Sequence, residues 1–161
     1  MPIADLDEID LKILKLLEAD GRLTNVELSN CVGLSPSPCL RRVRRLEAMG
    51  VIEGYGARIN RSKVGFGLTA FVSVKLDRPR EAEARHFRES MKRLPQVLAC
   101  YLISGQPDFL LEVTVSDLSQ YSNSLLASLR ELAEIKDVQS SFVLDTVKRP
   151  FRLPWQSLET P

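Results

Sequence analysis

Apolar residues recur at helical spacing through the first fifty positions and alternate at strand spacing in parts of the second half, so the chain reads as two differently built pieces. Leu6, Ile9, Ile13, Leu14 and Leu17 share one face of a helix predicted over residues 7–19, which Gly21 ends. Thr24-Asn25-Val26-Glu27 has capping-box spacing, so a short second helix is predicted through about Val32, closed by Gly33. A third helix starts sharply: Ser35 is its N-cap, Pro36 its first residue, and Pro38 still lies in the first turn, where no amide hydrogen bond is lost. Its Cys39, Val43 and Leu46 form an apolar stripe. Ser37, Arg41, Arg44, Arg45 and Ala48 fall on the opposite side, with Leu40 and Arg42 on the flanks. Three such helices can bury their stripes together.

Residues 51–58 are rich in glycine and β-formers, and residues 60–67 read as a polar, glycine-containing hinge. Beyond it Leu68, Ala70, Val72, Val74 and Leu76 alternate with Thr69, Phe71, Ser73 and Lys75, a strand with one strongly apolar face. Ala84, Phe87, Met91 and Leu94 then recur at helical spacing. Strands predicted at 97–104 and 109–115 flank the tight connection Gly105-Gln106-Pro107-Asp108 and should form a hairpin. Asp117 caps a further helix whose buried stripe is predicted to hold Leu118, Tyr121, Leu125, Leu129 and Leu132, and a last strand is expected over 138–147. The order is βαββαβ, the ferredoxin-like plan. Both helices of that plan lie on one face of the sheet, so Phe71, Tyr101 and Leu110 on the other face predict a homodimer formed partly through sheet faces.

Charge sharpens the first half. The 161 residues carry a net charge of only +1, which excludes a general polycation. Residues 1–60 hold eight Lys or Arg against nine Asp or Glu, so any nucleic-acid binding must come from the local charge of the third helix. Helix, glycine turn, basic helix is the helix-turn-helix order. On that reading Ser37, Pro38 and Arg41, at the inserted end, sample base edges, and Arg42 and Arg45 meet phosphate. Cys31, Cys39 and Cys100 are widely spaced with no CxxC pair, so no metal site is expected and Cys39 reads as a small core residue. Catalysis through Ser37, Ser104 or Cys100 would need a base, and His86 is the only histidine, so no enzyme is expected. No apolar run approaches the roughly 18–20 residues of a membrane span, and no signal-peptide pattern is seen, so a cytoplasmic location is expected and no membrane partner.

Read in order, Leu6-Asp7-Glu8-Ile9-Asp10, Asp20-Gly21-Arg22, Gly33-Leu34-Ser35, the run from Arg41 to Leu46, Gly50-Val51-Ile52-Glu53-Gly54-Tyr55, Leu94-Pro95-Gln96-Val97 and Ser104-Gly105-Gln106-Pro107-Asp108 resemble the leucine-responsive and asparagine-regulator (Lrp/AsnC) family of transcription factors. The resemblance implies an α+β chain: an N-terminal three-helix winged-type helix-turn-helix (1–59), the hinge (60–67), and a ferredoxin-like domain for effector binding and oligomerisation (68–161). It implies double-stranded DNA as partner, a location with the nucleoid, and self-assembly into dimers or octamers. An amino acid or related metabolite is the implied effector, without a cofactor. Ser35, Ser37, Pro38, Arg41, Arg42 and Arg45 are its DNA-facing set, and Ser104, Gly105, Gln106, Asp108 and Ser140 its implied effector contacts. An ammonium needs an acceptor such as Asp108, and a carboxylate needs donors that Pro107 cannot supply through its backbone. An architectural DNA-binding protein with no effector is the alternative reading.

Overall fold

A computed structural model describes residues 6–77, 80–148 and 153–155. Asp7 opens α1 (Glu8–Ala19) from outside it: its side chain accepts the Asp10 amide at 2.9 Å while the Asp10 carboxylate accepts the Asp7 amide at 3.2 Å. Two aspartates thus make the reciprocal cap usually built from Ser or Thr with Glu. Helix α2 (Asn25–Val32) has the predicted Thr24–Glu27 box and closes on Gly33 at φ +73°, a left-handed conformation that a Cβ disfavours. Helix α3 (Pro36–Ala48) follows immediately. Ile13, Leu14, Leu28, Val32, Cys39 and Leu46 close the core among the three helices.

Residues 53–60 carry no regular element, and a 3₁₀ turn, Arg61–Val64, occupies the hinge with Asn60 as its cap. The chain divides at Arg58/Ile59 into two compact units. Leu153 to Trp155 belong with the first unit, which corrects the expectation that the second domain runs to residue 161. The reason is chemical: Trp155 packs against the first unit's core and its indole finds an acceptor there.

In the second unit β1 (Leu68–Leu76) pairs antiparallel with β3 (Phe109–Val115) and β4 (Ile135–Phe142), and β2 (Val97–Leu102) pairs with β3, giving the order β2-β3-β1-β4. Helix α4 (Glu81–Arg93) and the run α5 (Leu118–Gln120), a π segment (Tyr121–Leu126) and α6 (Ala127–Arg130) cover the face that carries Val72, Val74, Leu111 and Val113. Phe87 meets Phe109 with ring centroids 4.6 Å apart, a packing geometry that adds to simple burial. Two expectations change. Leu118 is 59% exposed, because Tyr121, Leu125 and Leu129 turn inward and the wider π turn carries Leu118 off their stripe. The last strand begins at Ile135 and ends at Phe142 rather than covering 138–147, since Ile135 is taken up opposite Leu76 and Leu144 and Val147 point into solvent.

Candidate functional site

The first turn of α3 is open to a partner for a reason that lies in its prolines. Ser35 takes the N-cap backbone conformation, yet its hydroxyl makes no capping bond. An N-cap oxygen normally accepts from the second or third helical amide; Pro38 removes the third, and the second, that of Ser37, is not taken by the Ser35 hydroxyl. Ser35 and Ser37 are exposed, and Arg41 and Arg44 are exposed with no hydrogen-bond or ion-pair partner among the described residues. Asn25 on α2 donates its side-chain amide to the Pro36 carbonyl at 2.8 Å, tying the start of α2 to the start of α3. That contact was not foreseen, because an Asn just inside a capping box reads as ordinary helix.

The flanking arginines are held differently. Arg42 Nη1 lies 2.6 Å from Asp7 Oδ2 and 2.9 Å from Asp10 Oδ1, and Arg45 Nη2 pairs with Asp10 Oδ2. The Asp10 side chain is fully buried, whereas those of Arg42 and Arg45 are 28% and 45% exposed. The Asp10 backbone amide and then the Arg42 guanidinium hold the Asp7 carboxyl below its ordinary range, and Asp10 first and Asp7 second raise Arg42. Asp10 escaped the sequence reading, although a carboxylate lodged between Ile9 and Ile13 on the apolar side of a helix was the available signal. Asp7, Arg41, Arg42 and Arg45 together line an open cavity of about 280 Å³.

In the second unit a shallower cavity of about 170 Å³ is lined by Ser73, Lys75, Gln106, Pro107, Asp137 and Gln139. It lies on the sheet face away from the helices, because Ser73 pairs with Gln139 and Lys75 with Asp137 across β1 and β4, alternating with the buried Val72, Val74 and Leu76. The structure brings Gln106 here from the expected effector set. Asp108 is turned toward the strand: one carboxylate oxygen accepts the Leu76 amide at 2.8 Å, and its own amide donates to the Val74 carbonyl at 3.1 Å. Gly105 has φ +97°, so a side chain there would strain the loop, and Ser104 is exposed. Ser140 lies elsewhere: opposite Val72 it faces the helices, where its hydroxyl is hydrogen-bonded to the buried Tyr121 hydroxyl. Lys75 and Asp137, not foreseen, were legible only as minority-face positions whose pairing needs the register.

His86 is exposed with Nδ1 2.6 Å from Glu134. Burial pushes the Cys39 thiol up, away from the reactive thiolate. Among the described residues no cluster of three His, Cys, Asp or Glu could hold a metal, and no helix is long and apolar enough to cross a membrane.

Comparison with known proteins matches residues 6–53 to a winged helix-turn-helix DNA-binding family and residues 69–153 to the Lrp/AsnC ligand binding domain. The leucine-responsive regulatory protein of Escherichia coli K12 is 42% identical over 152 residues, covering 94% of this chain and 93% of that protein. A transcriptional regulator from Neisseria meningitidis, solved in complex with L-Met, superposes with a TM-score of 0.89 at 41% identity, covering 95% of this chain and 99% of that one. An AsnC family transcriptional regulator from Agrobacterium tumefaciens gives 0.87 at 33% identity over 95% and 99% of the two chains.

Proposed function

The chain belongs to the Lrp/AsnC family of transcriptional regulators, and from that premise we propose that α3 reads DNA bases while the second unit senses a free amino acid. The observation that carries the reading is the unsatisfied first turn of α3, with Ser35, Ser37 and Arg41 all exposed and none committed within the described chain. Ser35, Ser37, Pro38 and Arg41 meet base edges in the major groove, the guanidinium fork of Arg41 matching guanine O6 and N7. Arg42 and Arg45 flank that reading end and meet phosphate while braced by Asp10. No chemical step is involved, in keeping with relatives that are regulators rather than enzymes.

For the effector, the L-Met complex of the meningococcal relative supports an amino acid. Lys75 supplies a cation for a carboxylate, and Asp137, its cross-strand neighbour, supplies an acceptor for an ammonium. Gln106, with Ser104 and Gly105 in the same loop, gives further polar contact; Asp108 holds that loop to β1, and Ser140 acts from the other face through Tyr121. At about 170 Å³ the cavity falls below the ~300 Å³ of a drug-sized pocket, a scale for a small metabolite. Two chains pair through their sheet faces, higher assemblies up to octamers follow, and the protein works in the cytoplasm on the nucleoid.

Anisotropy titration tests both halves, using a duplex selected by the protein from a random library beside a random duplex of equal length, with and without L-methionine. Arg41→Ala is expected to lose about 1–3 kcal/mol on the selected duplex alone, whereas Arg42→Ala or Arg45→Ala weakens both duplexes and lowers the salt slope by about one. L-Methionine is expected to shift the wild-type curve and to leave that of Asp137→Asn in place. Equal losses on both duplexes for Arg41→Ala defeat the base-reading role, and a full methionine shift in Asp137→Asn defeats the effector site.

A further inference from the structure

We propose that the segment Leu153 to Trp155 is a strap whose docking on α1 holds α3 in its reading position, so that the end of the chain controls DNA specificity. Glu18 receives the strap with both carboxylate oxygens: Oε1 accepts the Leu153 amide at 2.9 Å and Oε2 accepts the Trp155 indole N–H at 2.6 Å. Each bond has a charged acceptor, the stronger kind of hydrogen bond. The indole ring is half-buried and packs on the cluster of Ile13, Leu14, Leu28 and Leu46, the pattern of an aromatic anchor with a polar tip. Among the described residues, no other hydrogen bond to the Glu18 carboxylate is seen.

The same helix carries the other half of the device. Glu18 lies eight residues from Asp10 on α1, about 12 Å along the axis at 1.5 Å per residue. Asp10 is the buried carboxylate that grips Arg42 and Arg45 of α3. A rigid α1 is therefore held by the strap near its C-terminus and holds the reading helix near its N-terminus. The strap also follows β4 in the chain, and β4 contributes Asp137 and Gln139 to the cavity on the sheet. The first unit is thus joined to the sensing unit by a second covalent path besides the hinge, and α1 is the element on which that path ends.

This inference rests on α3 being the reading helix, which the Arg41→Ala comparison tests separately. Trp155 is the only tryptophan in the chain, so its fluorescence reports the strap directly. In the whole 161-residue chain Trp155 emission is expected to be blue-shifted and shielded from acrylamide, and Glu18→Gln is expected to shift it to the red and raise quenching. Both Glu18→Gln and a chain ending at Lys148 are expected to lose about tenfold in affinity for the selected duplex and less than twofold for the random one. Wild-type Trp155 quenched as readily as free tryptophan overturns the proposal. So does a selected-to-random affinity ratio that stays within twofold of wild type in both variants, whatever happens to their melting temperatures.

Discussion

At the residue scale, helical phase alone sets only Arg42 apart from the other three arginines of α3, and the fold divides the four in pairs. Arg41 and Arg44 stand in water, and Arg42 and Arg45 are gripped by Asp10. Helical phase placed Arg41 and Arg44 correctly, because phase is a local property. It missed the grip, because Asp10 lies 32 residues from Arg42 and no periodicity encodes a partner on another helix. The asymmetry predicts a difference in stability. Removing a buried acceptor leaves its donors short of a partner, which costs about 1–3 kcal/mol where those donors can partly rehydrate. Asp10→Ala is therefore expected to lower the stability of the first unit by about that amount, and Arg41→Ala to leave it within about 0.5 kcal/mol. Urea unfolding followed by Trp155 fluorescence isolates this unit, since the lone tryptophan resides in it. Equal costs for the two substitutions would show that the Asp10 network carries no stability.

At the element scale, what was legible followed the range of the cause. The ends of α2, read as a Thr24 box and a stop at about Val32, were legible because Thr24, Glu27 and Gly33 act within one turn of the helix they bound. The start of β4 was read three residues late because it depends on pairing with β1, including a register shift between Lys75 and Leu76. The π segment was invisible for a related reason: an i+4 stripe of Tyr121, Leu125 and Leu129 also describes a plain α-helix. Caps that act locally make a pH prediction. The Glu27 carboxyl is held below its ordinary value first by the Thr24 amide and then by the Thr24 hydroxyl. A carboxyl depressed in the folded state stabilises it fully above its unfolded pKa, about 4.3, and that stabilisation is lost as pH falls through the folded value. The gap in thermal midpoint between wild type and Glu27→Gln is thus expected to be open at neutral pH and to narrow below about pH 4. A gap of constant size down to acid pH would mean that the cap's charge contributes nothing to α2.

At the scale of the whole molecule, the open face of the sheet sets the terms. Phe71, opposite Glu112, is 40% exposed, and Tyr101, opposite Leu110, is 53% exposed, so aromatic surface faces away from the helices on the two strands that flank β3. Glu112 in turn is bound by Arg61 of the hinge turn at 2.8 Å, which neutralises the one carboxylate β3 carries on this face. The aromatic part of this face, on the β2-β3-β1 side away from Lys75 and Asp137, has its charge paired and suits a second copy of itself, since a two-fold interface sets each patch against its own image. Phe71→Glu places a new carboxylate opposite Glu112, and in a symmetric pair it also brings that charge against the partner's face, where desolvation is costly. The substitution leaves the buried face of β1 untouched, so the monomer is expected to keep its thermal midpoint. Sedimentation at micromolar concentration is expected to give a dimer or larger species for wild type and at least a tenfold weaker association for Phe71→Glu. DNA affinity should fall with it, because two copies of α3 about one helical turn apart are needed to engage two half-sites together. A Phe71→Glu protein that still sediments with wild type removes the sheet face from the assembly, and a monomer that binds the selected duplex as tightly as wild type removes pairing from the reading of DNA.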